Sequence, residues 1–523
     1  MVKPSILLNL FIVSALGLNQ VLPIDFAWGT ATSAFQVEGA WNISNRGLSI
    51  WDYFQSFPNL IYNNDTGQIA DEFYYRFQSD IDLMSSLNIK AFRLSFSWTR
   101  LFPTGNSSEV NQKGVDFYLA LIQALLQNNI EPYVTLYHWD LPQAYNDLST
   151  NSGWLNPDIV HQFNAYADFC FKTFGHLVKK WITMNEIQTF AWVAYGLGIH
   201  APGRCSPEFG SWCQGVGGGG NSSTEPYIVA HHALLAHGLS VQTYRQRYKY
   251  QNGKIGLAIN CQYEVPWNSS DLKDINAVNT ALSFEYGWLA DPVVFGQYPP
   301  EMRKLITGNR LPEFNSTSSA LLKGSFDFLG LNYYGSFYLK HTGVVGSNYG
   351  DDGRYLILGV NATGHQIGPQ GEASWLYVYP KGLRLMLNWI NKRYKSPEIY
   401  VFENGVCCPN ESQIPFPEVL NDSFRVNYVY NHVMTMLDTI VEDNVKVSGY
   451  FLWSLIDNFE WSDGYNVRFG ITYVDYQNNL TRTLKDSAYL YQSLISYLGQ
   501  NPYNPNSFPN VNSLITKSKS LHT

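Results

Sequence analysis

Short runs of β-branched and aromatic residues alternate along the chain with longer segments in which apolar residues recur every three to four positions. Runs of the first kind, at 26–32, 91–98, 133–139, 181–186, 255–260, 328–334, 399–403 and 447–453, predict eight strands, because strands buried on both faces read as compact apolar blocks. Segments of the second kind, at 71–87, 114–127, 157–174, 225–248, 276–288, 382–394, 423–442 and 487–498, predict the helices that separate them. Pro226 suits a first helical turn, and Asp422 suits the N-cap of the helix that starts at Ser423. Alternation fits an open doubly wound sheet as well, but such a sheet would more naturally split at 523 residues, and no low-complexity linker divides this chain. The glycine run at 217–220 lies inside one connection and lacks the strand-to-helix context of a phosphate loop. The fold class predicted is α/β, a single (β/α)8 TIM barrel over 18–500 with elaborated βα loops. Residues 501–523 are set apart as a C-terminal tail.

Composition narrows the class. Hydrophobic residues make up 45% and charged residues 15% of the chain, with 15 Trp, 36 Tyr and 30 Phe, which excludes a disordered polymer. The net charge is -8 and no basic run occurs, so no nucleic-acid partner is expected. Lys3, an apolar run at 6–13 and Ala15-Leu16-Gly17 have the form of a signal peptide over 1–17. No later stretch reaches the ~20 apolar residues of a stable membrane span. Asn-x-Ser/Thr occurs at Asn42, Asn64, Asn106, Asn221, Asn268, Asn315, Asn361, Asn410, Asn421 and Asn479, mostly in polar, glycine-rich stretches. The expected location is the secretory pathway, ending outside the cell or in a lysosome or vacuole. There, Cys205 and Cys213 would clip the short loop between them, while Cys170 reads as a buried thiol and Cys407 and Cys408 have no evident partners. His231, His232 and His237 lack the spacing of a helical zinc pair, and no metal or other cofactor is expected. Nothing in the chain assigns an oligomeric state.

The chemistry gathers where predicted strands leave the core. Their carboxyl ends carry Arg93, His138-Trp139-Asp140, Asn185-Glu186, Asn332-Tyr333-Tyr334, Glu403-Asn404 and Trp453, and a barrel collects its active site on that side. Any one such residue is more simply a satisfied polar group at a loop start; six groups converging on one rim weaken that reading. Glu186 follows the fourth strand and Glu403 the seventh, three βα units apart, so the two can face each other across the mouth. Paired carboxylates suit glycosidic-bond hydrolysis: one donates a proton to the leaving oxygen and the other attacks the anomeric carbon. A separation of ~5–5.5 Å gives double displacement with retention.

Over 22–498 the sequence resembles family 1 of the glycoside hydrolases, the retaining β-glucosidase family. The motif Thr-x-Asn-Glu-Pro is matched by Thr183-Met184-Asn185-Glu186-Ile187, and Thr-Glu-Asn-Gly by Phe402-Glu403-Asn404-Gly405. The stretches at 31–39, 138–142 and 453–461 follow in family order. The resemblance implies Glu186 as acid/base and Glu403 as nucleophile. It implies a sugar-binding set of Gln36, His138, Asn185, Trp453 and Glu460, pocket walls at Trp461 and Phe469, and Arg93, Tyr334 and Asn332 beside the nucleophile. A guanidinium next to Glu403 favours its ionised form, whereas a facing carboxylate and a partly dry cleft keep a proton on Glu186 until Glu403 is esterified.

Three departures stand out. Ile187 replaces the usual proline, Phe402 replaces the usual threonine, and Cys407-Cys408 occupies an aglycone-side loop. Strand alternation would turn Phe402 away from Glu403, towards the surrounding helices. The aglycone site is expected from loops at 196–224, 309–318, 341–372 and 407–421, with Trp192, Trp212 and Trp375 as aromatic candidates. A glutamine at the acid/base position would mark a thioglucosidase, and loss of the Glu460-Trp461 pair a 6-phosphoglycosidase; the chain has neither. The competing readings are a catalytically silent carbohydrate- or protein-binding barrel, and a transglycosidase that uses the same intermediate.

Overall fold

The computed structural model describes residues 22–23, 25–147, 152–505 and 507–522; the segment read as a signal peptide falls outside them. Eight parallel strands close a barrel: β1 (Ala27–Ala31), β2 (Ala91–Ser95), β3 (Glu131–Tyr137), β4 (Lys180–Asn185), β5 (Lys254–Asn260), β6 (Phe328–Asn332), β7 (Ile399–Asn404) and β8 (Val447–Trp453). Each strand pairs with its neighbour in sequence, and β8 returns to β1 through the register Ala27↔Gly449 to Ala31↔Trp453. All eight lie where the apolar blocks predict strands.

Helices Phe73–Ser86, Gln112–Gln127, Ile159–Phe174, Glu225–Arg247, Pro380–Arg393, Ser423–Glu442 and Asp486–Leu498 lie where helical periodicity predicts them. The element expected at 276–288 is instead two helices, Leu272–Phe284 and Tyr286–Phe295, broken at Glu285, where φ −93° and ψ −90° are not helical. Apolar residues continue across the break, so periodicity alone merges the pair. Asp422 precedes its helix but does not cap it. Its carboxylate accepts instead from Arg425 at 2.6 Å and from the Ser487 amide at 2.9 Å, a charge-assisted pairing that outcompetes an ordinary cap.

The barrel interior is filled by rings set against small side chains. Tyr133, Phe328, Tyr400, Phe402 and Phe451 pack with Ala27, Ala91, Ile182 and Ala258. Two strand glycines make room for these rings: a Cβ at Gly29 would fall 2.3 Å from Phe451, and one at Gly330 2.5 Å from Phe402. Phe402 therefore faces the barrel axis, against the expectation that it points to the helices. Alternation from the inward-facing Tyr400 sets Phe402 on the axis, and a register shift in β7 after Val401, present in its pairing with both β6 and β8, brings Glu403 to the same side. The shift breaks strict alternation, so consecutive residues Phe402 and Glu403 both face inward, and Asn404 turns out to donate to Tyr428 on Ser423–Glu442 at 2.8 Å.

Smaller elements elaborate the loops. A three-stranded sheet joins Val265–Pro266, Tyr338–His341 and Tyr355–Leu358, and Thr472–Asp475 pairs with Thr481–Leu484. The stretch 501–523 carries a helix, Val511–His522, packed on Asp486–Leu498 with Leu514 buried. Cys205 and Cys213 form a disulfide with Cα atoms 5.5 Å apart, while Cys170, Cys261, Cys407 and Cys408 are free and buried. His231, His232 and His237 are packing histidines, bonded to Tyr298, to the Trp154 carbonyl, and to Thr183 and the Ser325 carbonyl. Nine sequon asparagines are exposed and Asn361 is half-buried. Among the described residues no helix is long and apolar enough to cross a membrane.

Candidate active site

The strand ends deliver the predicted rim. Arg93 comes from β2, Asn185 ends β4, Asn332 ends β6, Glu403 lies in β7 after its register shift, and Trp453 ends β8. Pairing of β4 with β5 also shifts between Ile182 and Asn185. Glu186 then takes a left-handed backbone, φ 49° and ψ 60°, a strained choice for glutamate that re-aims the side chain as the strand stops.

One connected set of hydrogen bonds joins the two glutamates. Arg93 Nη1 donates to Glu403 Oε1, and the Tyr334 hydroxyl donates to Glu403 Oε2. Arg93 Nη2 donates to Asn185 Oδ1 at 2.6 Å. Asn332 Nδ2 donates to that same oxygen at 3.0 Å and to Glu186 Oε1 at 2.7 Å. Both carboxylates are buried, Glu403 to 3% and Glu186 to 5% exposure. Burial, reinforced by the charge of Glu403, pushes the Glu186 carboxyl up to about 8, with Asn332, Thr189 and Arg93 pulling the other way. Glu186 thus holds a proton at neutral pH, whereas Glu403 is ion-paired. One carboxyl is a proton donor and the other a ready anion.

His138 stands beside them. Burial and the Arg93 charge hold its imidazole well below its ordinary range, so it stays neutral. Its Nε2 lies 3.1 Å from Asn185 Nδ2; with Nε2 accepting, the proton sits on Nδ1, which is buried without a protein partner. That leaves one donor for a ligand. Trp453 stacks on the imidazole with centroids 5.9 Å apart, and Trp461 lies 4.7 Å from Trp139. Burial, and then the charges of Asp463, Glu403 and Glu186, hold the Glu460 carboxyl well above the usual carboxylate range. Gln36 Nε2 donates to Glu460 at 3.3 Å and to Asn458 and the Phe459 carbonyl at 3.0 Å each, while Ser33 donates to Gln36 Oε1 at 2.6 Å. Gln36 is thereby fully buried and spent on protein partners, one layer behind the wall that Glu460 forms.

These residues line a cavity of about 590 Å³ that contains Glu186, Glu403, His138, Asn185, Tyr334, Trp453, Glu460, Trp461 and Phe469. Its mouth differs in part from the loops expected. Ile199 and His200 come from 196–224 and Glu372 from 341–372, but 309–318 and 407–421 contribute no lining residue among those described. Cys407 is instead a prop: its sulfur accepts from the Ala373 amide at 3.2 Å, behind the wall. Trp375 lines the mouth and is 40% exposed. Trp192 packs on Tyr349 at 5.3 Å, and Trp212 donates to the Gly198 carbonyl at 3.1 Å. Thr189, Asn260, Gln262 and Asp463 are lining residues that sequence reasoning missed. Asn260 was within reach, since it ends the fifth predicted strand; Thr189 and Asp463 each close a single helical turn and Gln262 lies in irregular chain, so none has a periodic signal. No cluster of three or more His, Cys, Asp or Glu suited to a metal occurs among the described residues.

The model of a family described as "Glycosyl hydrolase family 1" matches residues 18–500. Beta-glucosidase 40 of Arabidopsis thaliana is 42% identical over 480 residues, covering 91% of this chain and 92% of the relative. Beta-glucosidase 6 of Oryza sativa subsp. japonica is also 42% identical, over 90% of each chain. Among solved structures, a rice Os3BGlu6 β-glucosidase mutant in a covalent complex with Glc superposes with a TM-score of 0.87 at 42% identity, covering 90% of this chain and 98% of that one. A family 1 β-glucosidase of the fungus Humicola insolens in complex with glucose gives 0.86 at 42% identity, over 89% and 96%.

Proposed function

The chain belongs to glycosyl hydrolase family 1, and from that premise we infer that it is a retaining β-glucosidase, cleaving terminal non-reducing β-D-glucosyl residues by double displacement through a covalent glycosyl-enzyme. Glu403 is the nucleophile and Glu186 the acid/base. The observation that carries these roles is the unequal pairing of two carboxyls joined through Arg93, Asn185 and Asn332: Glu403 is bonded to a guanidinium and Glu186 to a neutral amide.

In the first step Glu403 attacks the anomeric carbon while the Glu186 proton passes to the departing oxygen. The ester that forms removes the Glu403 charge, one of the causes that hold Glu186 protonated, so Glu186 becomes the base that takes a proton from water. Tyr334 and Arg93 hold the two oxygens of Glu403, which leaves one carboxylate orientation for attack. The His138 Nδ1 proton, the Glu460 carboxyl and the rings of Trp453 and Trp461 contact the glycone. Gln36 supports Glu460 from behind. A buried carboxyl at Glu460, facing the C4 and C6 hydroxyls with no cation among the lining residues described, favours β-D-glucosides, with β-D-fucosides and β-D-galactosides as weaker substrates, and offers no partner to a 6-phosphate. The enzyme travels the secretory pathway, a reading supported by the leader-like first 17 residues, the Cys205–Cys213 bond and the surface placement of the sequons.

The test separates the glutamates. Glu186→Gln should slow cleavage of poor leaving groups by about 10²–10⁴-fold. It should still form glycosyl-enzyme from activated aryl glucosides, and added azide should restore turnover. Glu403→Gln should lose both half-reactions, with no azide response. Identical leaving-group dependence and azide response in the two variants would reverse the assignment.

A further inference from the structure

Resting on the glucosidase reading, we propose that the cavity mouth selects its aglycone by charge, favouring one that carries a cationic nitrogen over a neutral one and rejecting an anionic one, with Asp463 as the residue that sets the order. Five carboxyl-bearing residues line the cavity, Glu186, Glu372, Glu403, Glu460 and Asp463, and among the described residues no lysine or arginine lines it. The chain between 147 and 152 is Leu-Ser-Thr-Asn and adds no charge. The two histidines of the wall do not supply a cation either: burial holds His138 well below its ordinary range and brings His200 down to about 3.

The charges divide by depth. Inside, Glu403 is neutralised by Arg93 and Glu186 keeps its proton, so the reacting pair presents little net charge to an incoming ligand. At the mouth, Glu372 accepts from the Asn410 amide, a bond that leaves its charge in place. Asp463 is exposed and has no side-chain hydrogen bond or ion pair within the protein; its backbone joins Glu460 and Asn466, and neighbouring groups that desolvate its carboxyl raise it above its ordinary value without pairing it. The field at the entrance is therefore negative and unbalanced. Beside it lies an aromatic platform, with Trp375 stacked on Phe469 at 6.4 Å and 19° and still 40% exposed. A flat cation near an indole face and a free carboxylate gains from both. The buried, unpartnered His138 Nδ1 deeper in the same cavity places the sugar inward, so the aglycone occupies this entrance.

The experiment compares kcat/KM for phenyl β-D-glucosides bearing a para trimethylammonio or a para carboxylate group, with neutral 4-nitrophenyl β-D-glucoside as reference. Each enzyme form is reported as its cation-to-anion ratio, so that leaving-group chemistry cancels between forms. Asp463→Asn should lower the ratio by about five- to tenfold, the size expected for one charge at a wet entrance. Asp463→Glu should restore it, Glu372→Gln should lower it less, and added salt should compress the wild-type ratio towards that of Asp463→Asn. A ratio that stays within about twofold in Asp463→Asn, or that falls equally in Asp463→Glu, overturns the proposal. Good turnover of the 4-nitrophenyl glucoside with an unchanged ratio would sink the charge inference alone, whereas no turnover of any of the three would sink the glucosidase reading and this inference with it.

Discussion

Glu403 and Asp463 are carboxylates of one cavity in opposite settings. At the floor, Glu403 is held by Arg93 and Tyr334, Glu186 by Asn332, and Asn185 by both Arg93 and Asn332, so the groups are tied together by residues on or just past the strand ends. At the mouth, Asp463, Trp375 and His200 come from connections, and Asp463 and Trp375 are exposed. A transition state with charge developing at a defined atom gains from dipoles already in place. A leaving group of variable shape gains from a wall that can change without disturbing that arrangement. The difference separates how fast a glycosidic bond breaks from which glycoside is accepted.

The largest way to break this contrast is at Arg93. Arg93→Met leaves Glu403 without its cation and Asn185 without a donor, and should cost about 10²–10³-fold in kcat/KM for every aryl glucoside irrespective of aglycone. An effect that varied strongly with the aglycone would mean that floor and mouth are not separable. Next comes the plug beneath the floor. Phe402→Ala should destabilise the fold by about 3–5 kcal/mol, read as a lower thermal midpoint, because the ring fills the barrel between Tyr133, Phe328 and Phe451. A near-neutral change would place the ring outside the packed interior.

A subtler probe is pH. Proton donation by a carboxyl near 8 means that cleavage of poor leaving groups falls as pH rises through about 8. The Asn332 bond favours the ionised form of Glu186, so Asn332→Ala should move that alkaline limb to higher pH while lowering the plateau by about tenfold. A limb that moves down would assign the bond to the protonated form. Smallest of all should be Ser462→Ala at the mouth, which removes a bond to the Ile199 carbonyl. About threefold or less in kcat/KM for 4-nitrophenyl β-D-glucoside is expected, confined to KM.

The floor was readable from sequence because barrel strands announce themselves as apolar blocks and their polar ends then stand out. Arg93, Asn185, Glu186, Asn332 and Glu403 all follow from that rule together with the family resemblance. What the rule misses is breaks in regularity. Phe402 and Glu403 share the axial face because β7 shifts register, the helix pattern at 276–288 conceals the break at Glu285, and Asp422 trades its cap for Arg425. Gln36 sits behind Glu460 because its amide is satisfied by the Asn458 side chain, the Phe459 carbonyl and the Glu460 carboxyl far along the chain, a relation no local pattern encodes. The mouth was legible only in outline, since turns carry no period from which Gln262 or Asp463 could be recognised.

The register shift in β7 also bears on transplanting this segment into another barrel. Tyr400 and Phe402 share the axial face, Glu403 joins them only because the ladder slips after Val401, and Asn404 already belongs to the helical side. A graft of 399–404 onto a recipient strand in regular register would seat the aromatic plug correctly and present the carboxylate to the surrounding helices. The donor and recipient would look interchangeable residue by residue, yet only a recipient that tolerates the slip on both flanking strands would inherit a nucleophile.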